Sequence, residues 1–416
     1  MHPSTLTYLT PTSTTLPTAQ PKHTPTETNC PIITLKPRFN YSVETNIVVR
    51  RRVTIVGRPL GMPTIDAHNA SRAFLVESSG ALDVRFCRII KGTFIEVIPL
   101  VEYHMRGPTA YVRAGGSLNL LGCEVTVNPI LALQARGFTP PQTNLRVFGG
   151  GVTAEGGLVR ATDCTFWSMY PGFIARESQF IGGDFLNVAG SLFLTGCRFL
   201  QVTMFANAIG GGGYVANLGG NVVITGCLFG YASGFVSLSG LGFLFFNGGG
   251  TMIVTGSEVA TNIAVASFFG GGIGMFTGGG VGITTGFIYS DVGAMGIAAG
   301  LGFQQAVGGG VLVRTGVIQS SMGALGFAVG VGINLYVGGG VSVVNSFITT
   351  RASAISSFYG VAVNLYVGNG VATVANVLGG FSQAIGASAI AGGDIAVMSK
   401  SRKLIWRRPP ACTDSD

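Results

Sequence analysis

From Gly172 to Arg408 the chain contains no proline, so every backbone N–H over that span can donate in a sheet ladder. Charge is scarce too. Only 10% of all residues are Asp, Glu, Lys or Arg, and between Gln201 and Ile395 they reduce to Glu258, Asp291, Arg314, Arg351 and Asp394. A strand sends about half of its side chains outward, so in this half the outward positions must be largely apolar or glycine. Histidine occurs at His2, His23, His68 and His104, which argues against a histidine dyad or a histidine metal cluster. His68 near Asp66 and His104 near Glu102 read better as surface residues than as general bases. None of the seven cysteines forms a C-x-x-C pair, so a zinc or redox motif is not expected. No G-x-x-x-x-G-K-[ST] run occurs, which removes the P-loop. The opening residues show no basic segment followed by an apolar one, so a secretory signal is not expected.

Glycine is what the chain has in excess, at 66 residues. Gly220, Gly250, Gly280, Gly310, Gly340 and Gly370 share one 30-residue register, and Gly210, Gly240, Gly270, Gly300, Gly330 and Gly360 share a second. Thr195, Thr225, Thr255, Thr285 and Thr315 form a third, continued by Asn345. A spacing this strict means that one unit is stacked on copies of itself. Within the unit, short apolar and β-branched runs are punctuated by glycines, which reads as short buried strands joined at corners. Helix pairs would lose about 1 kcal/mol at each interior glycine. Behind the Thr-Gly corner, Cys87, Cys123, Cys164, Cys197 and Cys227 stand in line, followed by Ser257, Phe287, Val317, Phe347 and Val377. The ladder predicts an all-β parallel solenoid of about ten or eleven coils from Arg52 onward, stacked roughly 4.8 Å apart, with the five thiols buried and free. Early rungs carry apolar residues five and three positions ahead of the ladder (Leu192 and Leu194), later ones six and four (Val281 and Ile283). A one-residue slip turns a strand face outward, so a change of local geometry is expected near Thr255 to Thr285.

The opening VTIVG…PTID from Val53 to Asp66, the rungs GGSLNLLGCEV and GNVVITGCLF, and the Gly-Gly-Gly corners resemble the right-handed parallel β-helix of the pectate-lyase-like superfamily. Steps such as Gly308-Gly309-Gly310-Val311 are similar to polymorphic outer-membrane-type repeats. The resemblance implies a single right-handed β-helix, a cell-surface or extracellular setting, and a function among lyases, hydrolases, adhesins and tail spikes. It also implies that a substrate cleft, if present, is built by loops protruding from one face.

In order, residues 1–45 form a Thr/Pro-rich segment expected to be disordered or stalk-like. The first 30 hold ten threonines and five prolines, too little apolar surface to fold. Residues 46–398 are the expected β-helix, interrupted by an inserted loop at 128–147, and 399–416 are a basic tail around Trp406. Arg50, Arg51, Arg52 and the charges that follow them could make a cationic groove for an anionic polysaccharide, or simply the polar end that a solenoid needs. The tail could touch an anionic membrane or nucleic acid, or be a solvated end; specific nucleic-acid binding is not expected. A β-helix hydrolase needs two or three converging carboxylates, and a lyase needs acids to hold a cation plus an arginine or lysine base. The candidates are Asp163 with Glu177 or Asp184, together with Arg160 and Arg176. No cofactor and no metal are expected. The preferred expectation is a non-catalytic structural or adhesive protein that associates with itself, a polysaccharide or a membrane surface. Alternatives are a polysaccharide lyase or hydrolase, and a multi-span membrane protein whose helices would be the uncharged runs 259–290, 292–313, 315–350 and 352–393.

Overall fold

The computed structural model describes Thr10–Pro11, residues 31–93, 95–98, 102–127, 144–169, 178–202, 207–211, 214–232 and 237–265, and then separate strands from Ser267 to Ser399. Side chains are placed within 31–93, 106–126, 148–167, 181–200, 214–230 and 246–257. All regular structure among the described residues is β, and nearly all of it is parallel. Successive passes of the chain lay each strand beside the equivalent strand of the pass before, a solenoid-like arrangement.

The first face stacks Ile32–Thr34, Arg52–Val56, Ala81–Arg85, Ser117–Leu121, Leu158–Thr162 and Gly190–Thr195. It continues through residues 221–225 and 251–255 to Val281–Thr284, Val311–Arg314, Val341–Val344 and Val371–Val374. The second face begins with Asn40–Ser42, Thr64–Asp66, Arg88–Ile90 and Glu124–Val127 and runs on to Val377–Ala384. A third stacks Ile47–Val49, Phe74–Val76, Ala110–Val112, Val152–Glu155 and Phe185–Val188. From Glu102–Arg106 and Asn144–Phe148 onward a further strand is inserted between the second and third faces. Thr10–Pro11 lies antiparallel to Asn40–Ser42 at the first rung.

Alternation along each strand builds the interior. On the first face Leu118 and Leu120, Leu192 and Leu194, and Val222 and Ile224 point inward, while Asn119, Phe193 and Val223 occupy the outward positions. On the second face a single inward column runs Tyr41, Ile65, Ile89, Val125, Phe166, Phe199 and Phe229. Its last three members are rings stacked with centroids 5.0 and 4.6 Å apart and planes within 8°. Phe185 and Tyr214 meet this stack edge-on from the third face.

Several expectations need correction. Among the described residues, strands occur at Thr10–Pro11 and again from Ile32, ahead of residue 46 where the β-helix was expected to begin. Residues 144–147, counted with the inserted loop, belong to the strand Asn144–Phe148, which pairs with Glu102–Arg106; residues 128–143 lie outside the described ones, as do 400–416. The series of 30-residue steps is also broken. At the last pairing Phe358 faces Ile390 and Asn364 faces Ile395, steps of 32 and 31, and an earlier break bears on the expected register. Met252 pairs with Val281, Val254 with Ile283 and Thr255 with Thr284, a step of 29. Glu258 pairs with Phe287 on the second face, again at 29. Thr284 therefore stands where Thr285 was expected, and Phe287 follows Glu258 rather than Ser257. The slip enters between Gly240, opposite Gly270, and Phe245, opposite Gly274. It is undone before Phe268, opposite Ala298. Leu241 faces Gly272 within this slip, and backbone without Cβ atoms at Gly270, Gly271, Gly272 and Gly274 lets the count change without a steric penalty, so Val281 and Ile283 stand beside Met252 and Val254. The four runs considered as membrane helices contain strands in this structure. Among the described residues no helix is long and apolar enough to cross a membrane.

Candidate functional site

The cysteine corner is built by one residue in the left-handed region before each thiol: Phe86, Gly122, Asp163, Gly196 and Gly226, with φ from 52 to 63°. The thiols of Cys87, Cys123, Cys164, Cys197 and Cys227 are all buried and free. Each donates to the carbonyl two residues behind it, at 3.2–3.5 Å. Sulfur also accepts across the stack: Cys123 N donates to Cys164 Sγ and Cys197 N to Cys227 Sγ, both at 3.4 Å. Ser257 Oγ plays the same part for Cys227 N at 3.0 Å. The column thus satisfies corner backbone groups that its burial would otherwise leave costly. Burial pushes the Cys87 thiol up to about 12, with the neighbouring Cys123 adding to the effect.

A second polar column was missed by the reading of the sequence. The inward position of the third face carries Val49, Val76, Val112 and Ala154, then changes to Asn187, Asn217 and Asn247. All three asparagines are fully buried. Asn187 Nδ2 donates to Asn217 Oδ1 at 2.8 Å, and Asn217 Nδ2 to Asn247 Oδ1 at 2.7 Å. The same amides reach corner carbonyls, Asn187 to Gly190 at 3.1 Å and Asn217 to Gly249 at 2.9 Å. Asn187 Oδ1, facing Ala154 in the rung before, has no hydrogen-bond partner. The 30-residue spacing of these asparagines was the available signal.

Charge concentrates on the outside of the early rungs and is paired across them. Arg88 Nε lies 2.7 Å from Glu124 Oε2, Arg113 Nη1 2.9 Å from Glu77 Oε2, and Lys91 Nζ 2.8 Å from Asp66 Oδ2. Arg85 Nε donates to Asp83 Oδ2 at 2.9 Å, and Asn119 Nδ2 to Asp83 Oδ1 at the same distance. Tyr111 donates to Glu155, and the Arg72 guanidinium sits 4.9 Å from the Tyr111 ring centre. Asp66 has its other oxygen engaged by the His68 N–H at 2.8 Å, so this carboxylate is held by a turn and a lysine.

The sequence candidates are distributed as follows. Arg160 is exposed on the first face with its guanidinium 5.4 Å from the Phe193 ring centre. Asp163 is exposed at the corner that follows, in the left-handed conformation, with its side chain against Gly196. Asp184 is buried at the corner entering the third face, where its N–H donates to the Tyr214 carbonyl and its own carbonyl accepts from Gly151 and Val152. Arg160 and Asp163 are thus near neighbours in one rung, while Asp184 belongs to a different corner and to the interior. Arg176 and Glu177 lie outside the described residues. No group of three His, Cys, Asp or Glu side chains suited to a metal ion occurs among the described residues.

No family model matches the chain, and neither a curated protein nor a solved structure does.

Proposed function

We propose that this chain is a right-handed parallel β-helix, related in build to the pectate-lyase-like superfamily, that acts as a non-catalytic structural or adhesive protein. On this reading the helix has about ten or eleven coils from Arg52 onward, with 30-residue units in the C-terminal half, and the run of parallel first-face strands from Arg52–Val56 to Val371–Val374 supports it. The observation that carries the reading is one outward column on that face. It passes through Asp83, Asn119 and Arg160 and then turns to Phe193, Val223 and Ile253. Ile253 is 38% exposed, and Leu218, Leu228 and Trp167 are comparably open. Outward apolar side chains of this kind favour association, and the low charge of the following 140 residues extends the same character. The favoured partner for this flank is another copy of the chain. Sedimentation of the full chain at micromolar concentration, in detergent-free buffer, tests the reading. Oligomers are expected, and a sharp monomer boundary would overturn it.

A further inference from the structure

The cross-rung pairing of charge stops at the N-terminal end. Lys36, Arg38, Arg50, Arg51, Arg52 and Arg58 are all exposed, and among the described residues none of the six takes part in an ion pair. Against these six, residues 31–61 contain one acid, Glu44. The next rungs match Arg85, Arg88, Lys91 and Arg113 with carboxylates, so the imbalance is concentrated at this end.

The first two rungs gather these cations at two corners on either side of the first face. Arg50 and Arg51 form the corner between Ile47–Val49 and Arg52–Val56. Lys36 and Arg38 form the corner after Ile32–Thr34, and Arg58 occupies the equivalent corner one rung later. The Arg38 N–H donates to the Gly61 carbonyl at 2.8 Å and its side chain lies over Gly61, which brings the two corner loops together. The same end holds half of the large apolar side chains exposed among the described residues: Leu60 at 91%, Ile32 at 69%, Phe39 and Val48. Leu60 stands two residues from Arg58, Phe39 follows Arg38, and Val48 precedes Arg50.

We infer that this end of the molecule docks onto an anionic lipid bilayer, the arginines and Lys36 meeting headgroups while Leu60 and Ile32 enter the acyl boundary. A polar end is all that solubility asks of a terminal rung, and solubility gives no reason to expose Leu60 almost completely. A polyanion such as heparin would reward the cations but not the leucine. A bilayer rewards both, since interfacial binding sums buried apolar area and attraction to anionic lipid. The inference deepens the reading of a surface-associating structural protein by naming one surface and the end that meets it.

Flotation of the full chain with vesicles of phosphatidylcholine containing phosphatidylserine is the test, beside vesicles of phosphatidylcholine alone. Binding to the anionic vesicles only is expected. The triple variant Arg50→Ser/Arg51→Ser/Arg52→Ser should weaken it roughly a hundredfold, from a several-fold contribution per cation. Leu60→Ser, at a fully exposed loop position that leaves the fold intact, should weaken vesicle binding about tenfold and leave heparin retention unchanged. No binding to anionic vesicles overturns the inference, and so does binding that Leu60→Ser leaves untouched, which would mean that charge alone is read and no side chain enters the bilayer. Sedimentation without vesicles reads self-association separately, so either idea can fail alone.

Discussion

Asn217 donates from Nδ2 to Oδ1 of Asn247 at 2.7 Å inside the stack, and its own Oδ1 accepts from Asn187 at 2.8 Å. One buried amide therefore ties three rungs together. Asn217→Leu keeps the volume and removes both links, together with the bonds to the Gly220 and Gly249 carbonyls. Stranding buried polar partners costs about 1–3 kcal/mol, so a loss of about 2–3 kcal/mol is expected in urea unfolding. A loss below about 0.5 kcal/mol would show that the ladder adds nothing net.

The ladder also has an open end. Asn187 Oδ1 lacks a donor, and Ala154 occupies the position one rung before it. Because each amide donates toward the following rung, Ala154→Asn would aim an Nδ2 at this oxygen. The expected result is a gain of about 1 kcal/mol, and a midpoint shifted downward would mean that the site is too tight for the larger side chain.

Two corner glycines with positive φ separate steric need from backbone need. A Cβ on Gly220 would stand 2.2 Å from the Gly190 carbonyl oxygen, whereas one on Gly226 would meet nothing within 4 Å. Gly226→Ala should cost only the left-handed penalty of about 1–2 kcal/mol. Gly220→Ala must push rungs apart and should cost several kcal/mol more or prevent folding, read by circular dichroism and thermal melting. Equal effects would mean that the stack yields easily at Gly190.

Phe199 lies between Phe166 and Phe229 in the ring stack. Phe199→Ala leaves a cavity bounded by two parallel rings, with an expected loss of about 3–5 kcal/mol. Phe199→Leu should recover more than half of that.

The Cys87 thiol, raised from its ordinary 9.0 to about 12, makes stability depend on alkaline pH. Between those values the unfolded chain has released a proton that the folded chain keeps, so stability falls as pH rises. The melting temperature is expected to decline from pH 9 to pH 11. Cys87→Ser should flatten the decline, because the hydroxyl of Ser257 already fits this column. An identical slope in the variant would assign the alkaline loss to other groups.

Much of the stack was legible from spacing, because side chains that repeat along a parallel solenoid must occupy equivalent places. Cys123, Cys164, Cys197 and Cys227 announced the corner, since a small polarizable side chain suits a crowded column. The 6-and-4 placement of Val281 and Ile283 announced the slip that sets Thr255 opposite Thr284. Asn187, Asn217 and Asn247 kept the same interval but went unread, because asparagine in a glycine-rich chain looks like turn chemistry and burial is not written in spacing. Ile32–Thr34 escaped because three residues between prolines carry no periodicity. The candidate site was far less legible. Arg160, Asp163 and Asp184 are close in sequence, yet strand alternation and one αL corner send two of them outside and one inside, a distinction that spacing along the chain does not contain.

The glycine-rich run Gly270–Gly274, across which the pairing loses one residue while Val281 still lies beside Met252, acts as a joint with play. A duplicated or slightly trimmed unit inserted at such a joint would find a neighbour already shaped to receive it. The length of such a molecule can then change by whole units, while each added unit still has to fit the inward column that passes through Phe166, Phe199 and Phe229.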